Sequence, residues 1–181
     1  MSVHFNLKEA GFFSLEDWPV TVCAWRGCCI EVFAQGEHAV ADCLSALEKA
    51  GIMLPKDARS PMPVTRLRGL KACIESHDFG KHGELARQRI DHWENVCKQR
   101  ASLAHGRIKA TADGVIISHR VFDGSTEWPQ PPERLSRMDM LVSLQEISRA
   151  QQLLHQQLRQ IEALAADAAS ATSRSDKKPP Q

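Results

Sequence analysis

Tyrosine is absent from this chain of 181 residues, and aromatic residues make up only 6% of it. Reading single-stranded nucleic acid by base stacking requires a platform of exposed rings, so that mode of binding is not expected. No apolar run comes near the about 20 residues that span a bilayer, and Arg26 interrupts the best candidate, so no membrane association is expected. Residues 1–13 lack a basic start followed by an apolar stretch. The sequence therefore predicts no signal peptide and a cytoplasmic location. There is no Gly-rich phosphate loop, no Ser/His/Asp signature and no metal-binding motif. None of the six cysteines (Cys23, Cys28, Cys29, Cys43, Cys73, Cys97) belongs to a C-x-x-C pair. They read as reduced, mostly buried thiols. A zinc site joining them to His38 or His77 is not expected, because the four-ligand spacing is missing. Any activity is expected to need neither metal nor cofactor.

What is present suffices for one globular domain with a real core: 43% hydrophobic residues against 25% charged. The formal net charge is only +1, but it is unevenly spread. Residues 1–54 carry three basic against seven acidic side chains, and residues 55–109 carry twelve against six. A local cationic excess suits an anionic partner such as RNA. A solvated helical face would carry the same excess.

The apolar spacing predicts a mostly helical chain. Asp17 precedes Trp18-Pro19, and proline is at home in a first helical turn. From there Val22, Trp25, Cys29, Phe33, Val40, Leu44 and Leu47 recur at helical steps, predicting one helix to about Lys49, ended by Gly51. Gly36 in its middle either kinks it or admits a close neighbour. Pro55 to Pro63 reads as a loop, and Thr65 as the cap of a short helix to about Ser76. A third helix is predicted from about Gly83 to Ala104. At 100° per residue, Ala86, Ile90, Trp93, Cys97, Ala101 and Ala104 form one apolar stripe, Leu85, Val96 and Leu103 a second, with Arg89 and Arg100 between them. Asp113-Gly114 between two β-prone runs predicts a hairpin, and Trp128-Pro129-Gln130-Pro131-Pro132 a rigid loop. A last helix is predicted from about Glu133 to about Ala166. The expected architecture is all-α: a four-helix up-and-down bundle in residues 1–167, with a small β-hairpin between helices three and four. Residues 168–181 are expected to be a disordered tail.

The most informative stretch is Arg100-Ala-Ser-Leu-Ala-His105-Gly106. An arginine can hold a phosphate, and a histidine can move a proton near neutral pH. The segment from Trp93 to Gly106, ending Leu103-Ala104-His105-Gly106, resembles the HEPN family. That family's signature is an Arg, four to six residues, then a His at a helix end. The helical arrangement extends the resemblance over roughly residues 15–165. The resemblance implies a homodimeric four-helix bundle in which motif residues of two protomers meet. It further implies a metal-independent endoribonuclease of toxin or defence type, partnered in some families by an antitoxin-like protein. One position departs from the pattern: the residue after the arginine is typically polar in nuclease members, and here it is Ala101.

On this reading Arg100 and His105 are the catalytic pair, with Arg89, Ser102, Arg107 and Lys109 as RNA contacts. His105 would act as general base or acid, and Arg100 would clamp the charge that develops on phosphorus. Five residues on an ideal helix turn by roughly 500°, leaving the two side chains about 140° apart. They can meet if the helix breaks at His105–Gly106, or if Arg100 of one chain meets His105 of another. The alternative function is a non-catalytic dimer of the same fold that binds a nucleotide, RNA or a partner protein, which Ala101 favours. In the bland reading Arg100 pairs with a carboxylate and His105 caps helix carbonyls. His119, near the motif on the second strand, is a further candidate.

Overall fold

Asp17 supplies the start of the first helix: its main-chain carbonyl accepts from the amide of Thr21 at 3.1 Å, with Pro19 inside the first turn. The computed structural model describes residues 17–123, 126–129 and 131–175. Helix α1 runs Trp18–Lys49, as its periodicity predicts. It ends where Gly51 takes a φ of 83°, a left-handed conformation that favours glycine. The amides of Gly51 and Ile52 then turn back to the carbonyls of Glu48 and Leu47, both at 3.0 Å.

The predicted loop between Pro55 and Pro63 contains a short 3-10 turn, Lys56–Arg59. Helix α2, Pro63–Glu75, starts on Pro63 itself, with Met62 and not Thr65 at the cap. Gly69 is required here by space, since a Cβ would stand 2.2 Å from the amide nitrogen of Ala58 in the 3-10 turn.

The predicted third helix is two helices. Helix α3 runs Gly80–Val96, a 3-10 turn covers Cys97–Gln99, and helix α4 is the six-residue Arg100–His105. The Ser102 hydroxyl donates to the Gln99 carbonyl at 2.9 Å, offering that carbonyl a side-chain partner in place of the helical ladder. The break shifts the helical phase. Ala86, Ile90, Trp93 and Val96 are buried as predicted, but Cys97 is half-buried and Ala101 exposed.

Where one hairpin is predicted, the described residues form five strands. Strands β1 (Arg107–Ala110), β2 (Gly114–Ser118) and β5 (Glu133–Ser136) make an antiparallel sheet in the order β1-β2-β5. Strands β3 (Arg120–Asp123) and β4 (Thr126–Pro129) form a separate antiparallel pair. Trp128 and Pro129 therefore lie in a strand rather than in the predicted loop. The hairpin at Asp113-Gly114 exists, but its glycine has no left-handed φ. Glycine is needed because β5 passes so close that a Cβ would meet the Leu135 carbonyl at 1.9 Å. Helix α5 runs Arg137–Ser175, starting four residues later and ending nine later than predicted. The first residues of the expected disordered tail are thus helical, and residues 176–181 lie outside the described ones. The fold is predominantly helical, with a small antiparallel sheet. Among the described residues no helix is long and apolar enough to cross a membrane.

The chain forms two compact units: Met1–Glu31 with Gln99–Glu146, and Val32–Lys98 with Ile147–Gln181. In the second unit, Phe33 and Trp93 meet with ring centroids 5.7 Å apart, beside Gly36. Leu44, Leu47, Leu70, Ile74, Ile90, Leu154, Leu158 and Ile161 are among the other buried residues of this unit. In the first unit, Val22, Trp25, Cys29, Leu103, Val115, Ile117, Met140 and Leu144 are buried. The Trp25 indole N–H donates to the Met140 carbonyl at 2.8 Å, which satisfies a buried donor. The Trp18 indole N–H donates to the Thr111 carbonyl at 2.7 Å, and the Arg137 guanidinium sits 4.2 Å from the centre of the same ring.

Candidate functional site

Arg100 and His105 are the first and last residues of α4. The helix breaks before Arg100 and after His105, not between them. Both side chains therefore leave one short regular helix, about 140° apart around its axis. Ideal helix geometry thus sets them on different sides of a single α4. His105 is exposed at the helix end and Arg100 is half-buried.

Gly106 ends α4 in an extended conformation, φ −69° and ψ 148°, and not the left-handed one usual for a glycine cap. Its amide donates to the Ser102 carbonyl at 2.8 Å. Space selects glycine here, because a Cβ would stand 2.2 Å from that carbonyl oxygen and 3.0 Å from Cγ2 of Ile117.

Arg26 of α1 holds the carbonyl end of α4. Its Nε donates to the Leu103 carbonyl and its Nη2 to the Ala104 carbonyl, each at 2.7 Å. The last carbonyls of a helix have no partner within it and form the negative end of its dipole. The arginine satisfies two of them and sets a positive charge one residue before His105. The sequence shows Arg26 only as a charge in an apolar run. Its role depends on a pairing across 77 residues that no local pattern reveals.

The predicted RNA contacts are placed differently from one another. Ser102, half-buried on α4, is occupied by the Gln99 carbonyl, and the Gln99 side-chain oxygen accepts from Ser143 at 3.2 Å. Arg107 and Lys109 are exposed on β1 and share one face of the sheet. Gly106 abuts Ile117, and Ile117 belongs to the opposite, packed face with Val115. Arg107 and Lys109 therefore project from the face that α4 does not touch. Arg89 lies on α3, half-buried in the second unit. The predicted row from Arg89 through Trp93 and Val96 to Arg100 is interrupted by the 3-10 turn, and Trp93 and Val96 are core residues. His119 is half-buried between β2 and β3.

One basic residue passed over in the sequence joins Arg107 and Lys109. Arg134, predicted in a helix, is exposed on β5. Register places Lys109 opposite Ile116, and Ile116 opposite Arg134.

Among the described residues no three His, Cys, Asp or Glu side chains gather as a metal site. Burial and the neighbouring Cys28 push the Cys29 thiol up to about 12, and burial raises Cys43 and Cys73 as well. These thiols are poor nucleophiles at neutral pH. No protein-family model, no curated protein and no solved structure matches the chain.

Proposed function

We propose that the protein is a HEPN-like homodimer, an up-and-down four-helix bundle that cleaves RNA without a metal, using Arg100 and His105. The observation that carries this reading is α4: a separate short helix, bounded by a break and by Gly106, with the arginine at its start and an exposed histidine at its end. Their divergence around one helix is what a site shared between two copies requires, Arg100 of one facing His105 of the other.

RNA brings its own nucleophile, the 2′-hydroxyl. His105 takes the hydroxyl proton as the 2′-oxygen bonds to phosphorus, and the 5′-oxygen leaves with a proton returned to it. The products are a 2′,3′-cyclic phosphate and a free 5′-hydroxyl. Arg100 holds the non-bridging oxygens as their charge grows, a task suited to an always-charged forked donor.

A mixing experiment tests both the chemistry and the dimer. Arg100→Ala and His105→Ala proteins should each fail to cleave labelled RNA in EDTA. Mixed after unfolding and refolding together, they should regain about a quarter of the parent's rate, because half the dimers carry one of two sites intact. Single variants as active as the parent would end the catalytic assignment. No recovery on mixing would end the shared site. The second reading, a non-catalytic RNA-binding dimer, draws on Ala101, whose exposed methyl occupies the position after the arginine. It predicts salt-sensitive RNA binding with no cleavage by the parent.

A further inference from the structure

We infer that the exposed face of the β1–β2–β5 sheet is a phosphate track for single-stranded RNA, built by Arg107, Lys109 and Arg134 and separate from the α4 motif. The inference rests on the RNA reading above, since it takes RNA as the partner, but not on cleavage.

Register carries the argument. Arg107 pairs with Ser118, Lys109 with Ile116, and Ile116 with Arg134, so these side chains leave the same side of the sheet. Successive same-face residues on a strand are roughly 7 Å apart, and neighbouring strands roughly 5 Å apart. The three cations therefore form a triangle with sides of roughly 7 to 12 Å on one nearly flat surface. All three are exposed, and none makes an ion pair among the described residues. The opposite face holds Val115 and Ile117 in the core. Glu133 leaves on that packed side, opposite Ile117. Asp139, five residues after Arg134, is occupied by Ser136 through its amide at 2.9 Å and its hydroxyl at 2.7 Å.

Unpaired cations on a surface are costly to keep together and gain most from a polyanion, whose bound counterions are released on contact. A protein partner would want an apolar centre within the charged rim. Among the described residues the only apolar side chain that the register places on this face is half-buried Ile116. The described residues of this face include no aromatic ring, so contact falls on the backbone phosphates, and binding should be nearly indifferent to base sequence. Among the described residues β1 is an outer strand of its sheet, and Arg107 follows Gly106 directly. A strand of RNA lying on this face can therefore pass around β1 toward His105.

The test uses full-length His105→Ala protein, so that cleavage cannot interfere. Binding of a short fluorescein-labelled oligouridylate is followed by anisotropy between about 50 and 200 mM salt. Each of Arg107→Gln, Lys109→Gln and Arg134→Gln should flatten the plot of log affinity against log salt by about 0.7, and the triple variant by about 2. Arg149→Gln, an exposed arginine on α5 outside the sheet, should leave the slope unchanged. Circular dichroism and the thermal midpoint check that each variant folds. An unchanged slope in the folded triple variant overturns the track, as does absence of binding by the starting protein. Polyglutamate competing as well as RNA would instead mark a surface for acidic proteins and also overturns it. If the parent cleaves RNA while the triple variant keeps its slope, only the track fails. If the slopes fall while the parent cuts nothing, only the catalytic reading fails.

Discussion

The guanidinium of Arg26 donates to the carbonyl of Ala104, the residue just before His105, at 2.7 Å. The same side chain also takes the Leu103 carbonyl, so one residue of α1 secures the whole end of α4. Arg26→Gln leaves these carbonyls short of a charged donor. A loss of about 2 kcal/mol is expected, from the range for hydrogen bonds to charged groups, read as a lower urea midpoint with an unchanged slope. Arg26→Lys should recover only part of it, because a lysine is not a fork.

Gly36 faces the Trp93 indole so closely that a Cβ would stand 2.2 Å from Cζ2. The close-neighbour alternative for this glycine is therefore the one realised. Gly36→Ala overpacks the site and should cost about 1–3 kcal/mol. Trp93→Phe also destabilises, by leaving space. The double variant should be less destabilised than the sum of the two, since the smaller ring makes room for the methyl. Strict additivity in denaturant unfolding would count against this contact.

The cysteines divide by exposure. Cys23 is exposed, Cys28 and Cys97 are half-buried, and Cys29, Cys43 and Cys73 are buried. Desolvation disfavours a thiolate, so the buried thiols titrate above their ordinary range. With a folded-state pKa above the unfolded one, each stabilises fully below the unfolded pKa, and that contribution is lost as pH rises toward the folded value. Near pH 8, Cys23 should label fastest with a disulfide reagent, and Cys29, Cys43 and Cys73 only on unfolding, read by mass spectrometry. Stability should begin to fall above about pH 9.

Ser136 and Asp139 form a reciprocal cap on α5. The Ser136 amide and hydroxyl donate to Asp139, and the Asp139 amide donates to the Ser136 hydroxyl oxygen at 3.1 Å. These bonds hold the Asp139 carboxyl below its usual value. A depressed folded-state pKa gives stability that is present above the unfolded value and lost as pH falls through the folded one. The thermal midpoint should therefore decline on acidification below about pH 4. Asp139→Asn should remove that part of the decline while lowering the midpoint at neutral pH.

Much of the helical framework is legible because its signals are local. The Asp17–Pro19 start, the apolar rhythm from Val22 to Leu47 and the Gly51 stop together locate α1 within a residue or so. The α3–α4 break is not legible. Cys97, Lys98 and Gln99 are acceptable in a helix, and the competing bond from Ser102 to Gln99 is visible only once both are placed. For the same reason the catalytic candidates could be named while their divergence on one short helix could not be settled.

By itself the sequence determined the residue types at the motif, the helical character of most of the chain and the position of the β-hairpin, since these follow from spacing and turn chemistry. Tertiary structure decided the rest. Strand pairing is non-local, so only the folded sheet sets Arg134 in register beside Lys109. Helix ends need partners from elsewhere in the chain, so only the fold delivers Arg26 to α4. In sequence Gly106 looks like a helix cap and Gly114 like a hairpin-turn glycine. Both are required by how closely another atom approaches, which no backbone preference of their own encodes.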